Sequence, residues 1–453
     1  MGTGDDTKSR DDRSETPAND TRIFQVMVVA GPSGKSPVVT LDARPVVLGR
    51  EPEGERTLCL MDDLVSRSHA AIEHDRATGT WSIRDLGSRN GLLVDGRRVT
   101  AAPLRSGSVL RIGQTLLVCC EGRLSGGDVL APETEALRGG GLAMQRVRGE
   151  IERVARSHVP VLVVGETGTG KECVAREIHR LSGRTGPFVG VNCAALPEAL
   201  AESELFGHGV GAFTGASQRS EGLLASAHEG TLLLDEVAEL PGAIQAKLLR
   251  VLATGEVRPL GSTNARPIDV RVVSASPRDL SSEASFREDL YARLAVWTIR
   301  LPPLRERRED VLGLAKAFLA KRPAPPTLSS NAAEALLAYD WPRNVRELEG
   351  VLDAAAIRAG DEGVLRCKHL PPALSAVIAE RGPAGAAAPP LELLVPPDQV
   401  PTASDLRMVL ERLEGSVARV ARYFGKDRRQ VYRWFESAGI SPAEYRGGDE
   451  PGR

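Results

Sequence analysis

The sequence predicts a multidomain chain: an all-β sandwich at the N-terminus, a central α/β domain, and an all-α helical pair at the C-terminus. Three observations carry this. Residues 21 to 122 hold short alternating or β-branched runs punctuated by Gly, Asp and Asn. From Val159 to Val164 an apolar run feeds GETGTGKE at 165 to 172 and then an amphipathic stretch from Cys173 to Leu181, the order strand, glycine loop, helix. After residue 403 apolar positions return at helical spacing among basic residues.

Residues 1 to 20 are rich in Asp, Arg, Ser and Thr and nearly devoid of apolar side chains, which predicts a disordered tail and not a signal peptide. Strand-like runs follow at 23–29, 38–41, 45–48, 57–60, 70–74, 80–84, 92–99 and 108–119, the spacing of a sandwich. Four positions stand out, Arg50 in LGR, Ser66 and His69 in SRSHA, and Asn90 in SRNG. This set, in this order, resembles the forkhead-associated (FHA) domain. The resemblance implies that residues 21–122 bind a phosphothreonine protein of a Ser/Thr kinase pathway. Arg50 and Ser66 would contact phosphate, His69 would brace the loop, and Asn90 would grip the peptide backbone. A guanidinium, a hydroxyl and an amide suit those roles. Arg67 is a further candidate phosphate contact, or simply a solvated surface Arg. Residues 123–134 read as a linker.

In the central segment, Gly165, Gly168 and Gly170 allow backbone N–H groups to approach phosphate oxygens, and Lys171 supplies a point charge at a helix N-terminus. Glu172 stands where Ser or Thr usually ligates magnesium. GTLLLDE at 230 to 236 reads as a second buried strand ending in two carboxylates, Asp235 to hold Mg²⁺ through water and Glu236 to polarise a nucleophilic water. Between them lies GAFTGA at 211 to 216, whose bracketing glycines predict an exposed loop tip presenting Phe213 and Thr214.

These motifs, with ESELFGH at 202 to 208, FREDLYARL at 286 to 294, LPPLRERRED at 301 to 310 and WPRNVREL at 341 to 348, resemble the AAA+ ATPases that activate sigma-54 RNA polymerase. The resemblance covers 135–370 and implies a helical lid, ATP and Mg²⁺ as cofactors, and a homo-oligomer, dimer to hexamer. It places Gly165, Glu166, Thr167, Gly168, Thr169, Gly170, Lys171, Glu172 and Arg346 at the nucleotide, with Arg346 as second sensor. Asn192 would restrain Glu236, Arg287 and Arg293 would reach a neighbouring subunit's nucleotide, and Phe213 and Thr214 would contact sigma-54. From the residues alone, Arg287 and Arg293 are open to a second reading, surface ion pairs with Glu288 or Asp289. Two departures from the family pattern bear on coupling: Pro277 in SASPRDL, and Gly209 where Glu is commoner.

After a linker at 371–402, residues 403–446 carry the third part. Val417, Val420, Ala421 and Phe424, then Val431, Trp434 and Phe435, recur at helical spacing about Gly425. Between 416 and 435 six basic residues face one acid, a local charge of +5. Arg428, Arg429, Gln430 and Arg433 are types that read bases or phosphates in a major groove. The segment resembles a Fis-type helix-turn-helix, which implies enhancer DNA as a partner. A helical hairpin with a solvated basic face is the plainer alternative.

The formal net charge of −2 confines any DNA contact to such a local patch. Six cysteines without CxxC spacing point to a reducing cytoplasm and no zinc, and no apolar run reaches the roughly 20 residues that span a bilayer. The reading is a phosphopeptide-gated, ATP-hydrolysing activator of sigma-54 promoters. A non-hydrolysing phosphopeptide- and DNA-binding adaptor with an ATP-binding core is the alternative.

Overall fold

The computed structural model describes residues 21–34, 36–125, 128–212, 218–380, 401–412, 417, 420, 421, 424, 426 and 428–441. The expected tail, 1–20, lies outside these residues. Two compact units divide at residue 383.

The first unit opens with a sandwich of β1 (Thr21–Ala30), β2 (Val38–Leu41), β3 (Val46–Gly49), β4 (Thr57–Cys59), β5 (Ala70–Asp75), β6 (Thr80–Asp85), β7 (Leu92–Val94), β8 (Arg97–Val99), β9 (Ala101–Leu104), β10 (Val109–Ile112) and β11 (Thr115–Leu124). One sheet runs β2-β1-β11-β10-β7-β8 and the other β4-β3-β5-β6-β9. Between them pack Val26, Leu48, Ile72, Ile83, Leu110 and Leu117. The expected strands at 92–99 and 108–119 are each a hairpin. Asp95 and Gly96, both at positive φ, turn the first, and Gly113 turns the second. β9 was not expected, because AAPL lacks β-branched residues and carries Pro103. It is an edge strand, where proline is tolerated.

A five-stranded parallel sheet forms the α/β body. Its elements are α1 (Leu142–Ala155), β12 (Val161–Val164), α2 (Lys171–Ser182), β13 (Phe188–Asn192), α3 (Glu198–Phe206), α4 (Leu223–Ser226), β14 (Thr231–Asp235), α5 (Gly242–Thr254), the small pair β15 (Glu256–Val257) and β16 (Arg266–Pro267), β17 (Arg271–Ser276), α6 (Glu288–Leu294) and β18 (Trp297–Arg300). The order is β13-β14-β17-β12-β18. β12 is VLVV because both faces are covered: Leu162 and Val164 enter one core, Val161 and Val163 the other.

The lid comprises α7 (Val311–Leu319), β19 (Thr327–Leu328), α8 (Ser330–Ala338), α9 (Asn344–Ala359), β20 (Val364–Leu365) and α10 (Pro372–Glu380). Ser329 caps α8 by accepting from Ala332 N. Two expected boundaries shift. The stretch read as a linker at 123–134 begins inside β11 and then packs, with Ala131 buried and its carbonyl accepting from Arg148. Past residue 370 the chain adds α10, because Leu374 joins the lid core.

In the second unit α11 (Ala403–Arg412) and α12 (Arg428–Ser437) share one apolar core containing Leu406, Leu410, Val420, Phe424, Val431 and Phe435. Gly425, the expected breaker, lies outside the described residues.

Candidate functional site

The C-terminal ends of the parallel strands converge, the position where open α/β sheets hold ligands. Residues 165–170 run from β12 into α2. Gly168 takes φ 81° and Gly170 φ 106°, and a Cβ on Gly168 would stand 2.2 Å from Arg343 O. Only glycine fits there. Thr169 Oγ1 donates to Glu166 O (2.7 Å), tightening the turn. Lys171 is buried and donates to Gly165 O (2.7 Å) and Glu166 O (3.2 Å). Burial lowers its pKa and Arg346 lowers it further, while Asp235 and Glu236 oppose the fall.

Asp235 ends β14, and Asn192, its register partner, ends β13. Glu236 N donates to Asp235 Oδ1 (3.0 Å), and Glu236 itself sits at φ 53°, a left-handed conformation that turns the chain away from the strand. Asn192 Oδ1 accepts from Ala194 N (2.9 Å), so its side chain caps a short turn. Glu172 pairs with Arg176 one helical turn on (2.6 Å). Hard carboxylate oxygen at Asp235 fits Mg²⁺, a cation held mainly by phosphates and waters with one or two carboxylates.

The lid meets the loop directly. Val345 N donates to Gly168 O (3.0 Å), and Asn344 Nδ2 donates to Glu166 Oε2 and Thr167 O (both 3.1 Å). Asn344 Oδ1 accepts from Leu304 N (2.7 Å). Arg305 closes the arrangement with two bonds to the Glu166 carboxylate, 2.6 and 2.9 Å, holding its pKa down. Glu166 thus faces the lid. Arg307, buried, donates to Thr169 O (3.0 Å). Sequence reasoning missed Arg305, Arg307 and Asn344. Their signal lay in LPPLRERRED and WPRNVREL, motifs in which it singled out only Arg346.

The remaining expected residues are scattered about this centre. Arg287 pairs with Asp289 (2.7 Å), the alternative left open by the sequence, and Arg293 is exposed on the same helix. Ser276, before Pro277, donates to Arg278 O (2.7 Å). Phe213 and Thr214 lie outside the described residues. The stem of their loop is a bridge between His208 and Ser220, and Gly209 N donates to Leu260 O (3.0 Å).

In the sandwich, Arg50 N donates to Ser66 O (2.9 Å) and Arg89 N donates to Ser66 Oγ (3.1 Å). His69 is fully buried. Its Nδ1 accepts from Ser66 N and its Nε2 donates to Gly91 O (both 3.1 Å), which sets the tautomer. Burial lowers its pKa, keeping the ring neutral. Asn90 Nδ2 donates to Leu64 O (2.6 Å). Arg50 borders a cavity of about 300 Å³ with Pro32, Met61, Asp62, Asp63 and Gln114. Its Nη1 lies 3.8 Å from Asp63 Oδ1, and its Nε is buried without a hydrogen-bond partner among the described residues. Arg67 is exposed and only loosely near Glu51 (3.7 Å). In the second unit, Arg428, Arg429 and Arg433 are exposed on α12 and Gln430 is half-buried.

Residues 137–300 match the sigma-54 interaction domain and residues 305–386 the AAA+ ATPase lid domain. The regulatory protein AtoC of Escherichia coli is 40% identical over 67% of this chain and 67% of its own length. The chain belongs to the sigma-54 interaction family of transcriptional regulators. The nitric oxide reductase transcription regulator NorR1 of Cupriavidus necator is 45% identical over 63% of this chain and 60% of its own. This sigma-54 family member therefore spans under two thirds of some relatives. A crystal structure of NtrX from Brucella abortus aligns at 31% identity and TM-score 0.50, over 67% of this chain and 70% of that one. Residues 46–113 match the FHA domain, an addition in front of the sigma-54 module. Among the described residues no helix is long and apolar enough to cross a membrane.

Proposed function

We propose that this chain is a cytoplasmic, ATP-hydrolysing activator of sigma-54 RNA polymerase that responds to a phosphothreonine protein and binds enhancer DNA. The observation that carries the reading is the convergence of Lys171, Asp235 and Glu236 beneath a lid bonded to the glycine loop. In this reading the N–H groups of 165–171 and Lys171 bind the phosphates of ATP, Asp235 holds Mg²⁺, and Glu236 orients water for in-line attack. When bound, Mg²⁺ supplies charge neutralisation on the phosphate oxygens. Arg346 and, from a neighbouring subunit, Arg287 and Arg293 stabilise charge on the transferred group. For Arg287 that requires release from Asp289. Asn192 restrains Glu236 until a client engages Phe213 and Thr214.

The FHA part reads phosphate with Arg50, Ser66 and Arg67 and peptide backbone with Asn90. The position of Arg50 at the edge of an open cavity supports this assignment. Arg428, Arg429, Gln430 and Arg433 on α12 take the DNA role, and the nucleotide site completed by Arg287 and Arg293 of a neighbour requires a homo-oligomer.

The test compares two variants in nucleotide binding and phosphate release. Lys171→Ala should lose ATP binding, whereas Glu236→Gln should bind ATP and not turn it over, because only the second leaves the cradle intact. Equal loss of binding in both would refute the site. ATP binding by the unmodified chain without turnover would leave the adaptor reading standing instead.

A further inference from the structure

In a two-sheet sandwich an antiparallel strand normally turns one face to the core and the other to water. β11 has no wet face over its first six residues. Leu117 and Cys119 enter the sandwich core, while the alternate Leu116, Val118 and Cys120 enter a second core with Leu312, Ala315 and Leu336 of the lid. Around that contact α8 lies across β10 and β11, and α7 against β1. Arg111 of β10 bonds Asn331 (2.8 Å) and Glu334 (2.9 Å) of α8, with Glu334 nearly fully buried.

The same strand also touches the α/β body and the hinge. Gly122 abuts α1 so closely that a Cβ would lie 2.2 Å from Leu142 Cδ2. Residues 301–310 join body to lid, and Glu309 of this segment is half-buried, close enough to Cys120 for its charge to be felt by the thiol. Arg308 of the hinge packs against Gly107 of the sandwich. One sheet of the sandwich therefore contacts the α/β body, the lid and the segment that joins them.

We propose that the FHA sandwich is a brace across the hinge between the α/β body and the lid, holding the lid closed on the glycine loop. Its consequence for nucleotide exchange rests on the nucleotide-site reading above. The brace has a lid end, Arg111–Glu334, and a body end, Gly122–Leu142, and it works only when both are attached. The hairpin that forms it also reaches the Arg50 cavity, since Gln114 N donates to Asp62 Oδ2 (2.7 Å) and both residues line that cavity. A phosphopeptide bound there would act on the brace directly.

The full chain, loaded with N-methylanthraniloyl-ADP, tests this by the rate of nucleotide release, and amide hydrogen exchange of residues 301–310 reports the hinge itself. Arg111→Glu and Gly122→Leu, one at each end, should each speed release by about fivefold or more and deprotect the hinge. Combining them should add nothing, since a brace freed at one end is already free. The exchange Arg111→Glu with Glu334→Arg should restore the slow rate and shows that the chain still folds. Unchanged release and hinge exchange in both single variants, or effects that multiply in the double, would overturn the brace. If the unmodified chain fails to bind the nucleotide probe, the nucleotide reading fails, and hinge exchange alone decides the brace.

Discussion

Arg111 Nη1 lies 2.9 Å from Glu334 Oε2, joining a sandwich strand to a lid helix across 223 positions of sequence. The pair is almost out of water, at 14% and 5% side-chain exposure. Truncating one partner of such a pair strands the other charge in a medium that solvates it poorly. Asn331 supplies a second acceptor for the guanidinium, so the charge is shared between two groups of one helix. This is a specific docking of two domains, where a surface ion pair would leave them free to drift.

Asn344 is fully buried at φ 55°, a left-handed conformation for a non-glycine residue. Asn344→Ala removes three side-chain bonds and keeps a Cβ in that conformation, so we expect a loss of about 2–4 kcal/mol. Asn344→Gly loses the same bonds and sheds the backbone strain, so its loss should be smaller. Denaturant unfolding of the full chain, followed at the transition of the first unit, compares the two. A glycine variant as unstable as the alanine variant would show that the strain is not felt.

Arg50→Ala should cost on the order of 1.5–3 kcal/mol of phosphothreonine-peptide affinity, roughly tenfold or more, because charge-assisted bonds to phosphate are lost. Calorimetry with the full chain and matched phosphorylated and unphosphorylated peptides measures it. Binding that ignores either the phosphate or the substitution would remove the FHA domain as the receptor of the signal.

Glu309 has its pKa raised to about 7, chiefly by burial and then by neighbouring Asp310, with Arg307 and the Cys120 thiol opposing. A carboxyl with a folded pKa above its unfolded value adds stability that is complete below its ordinary 4.5 and lost as pH rises through about 7. Asp310 is raised in the same sense, again by burial. His69 works the other way: its lowered pKa gives stability that is lost as pH falls below its ordinary 6.5. Thermal unfolding across this range should therefore show a shallower dependence on the alkaline side in Glu309→Gln than in the unmodified chain, since an amide does not titrate. Identical profiles would mean that Glu309 is ionised in the folded protein.

Much of the fold and the chemical vocabulary of the site were legible in contiguous residues. GETGTGKE specifies its own turn, because glycine conformational freedom and a following helix are local properties, and LLLDE announces a buried strand with carboxylates at its end. SRSHA and SRNG likewise carry the groups that His69 and Ser66 join. Runs that a tight turn divides, 92–99 and 108–119, were legible only as single strand-like runs, since hydrophobic pattern registers burial before it registers direction. That β11 is covered on both faces at its start emerged only in the structure, where the lid packs on the second face. Glu166 was placed with the nucleotide by its motif, yet its partners Arg305 and Asn344 stand 139 and 178 positions away. Periodicity reports that a side chain leaves water. Which distant side chain it meets is decided when the lid, the hinge and the sandwich close on one another, through long-range packing that no window of sequence contains.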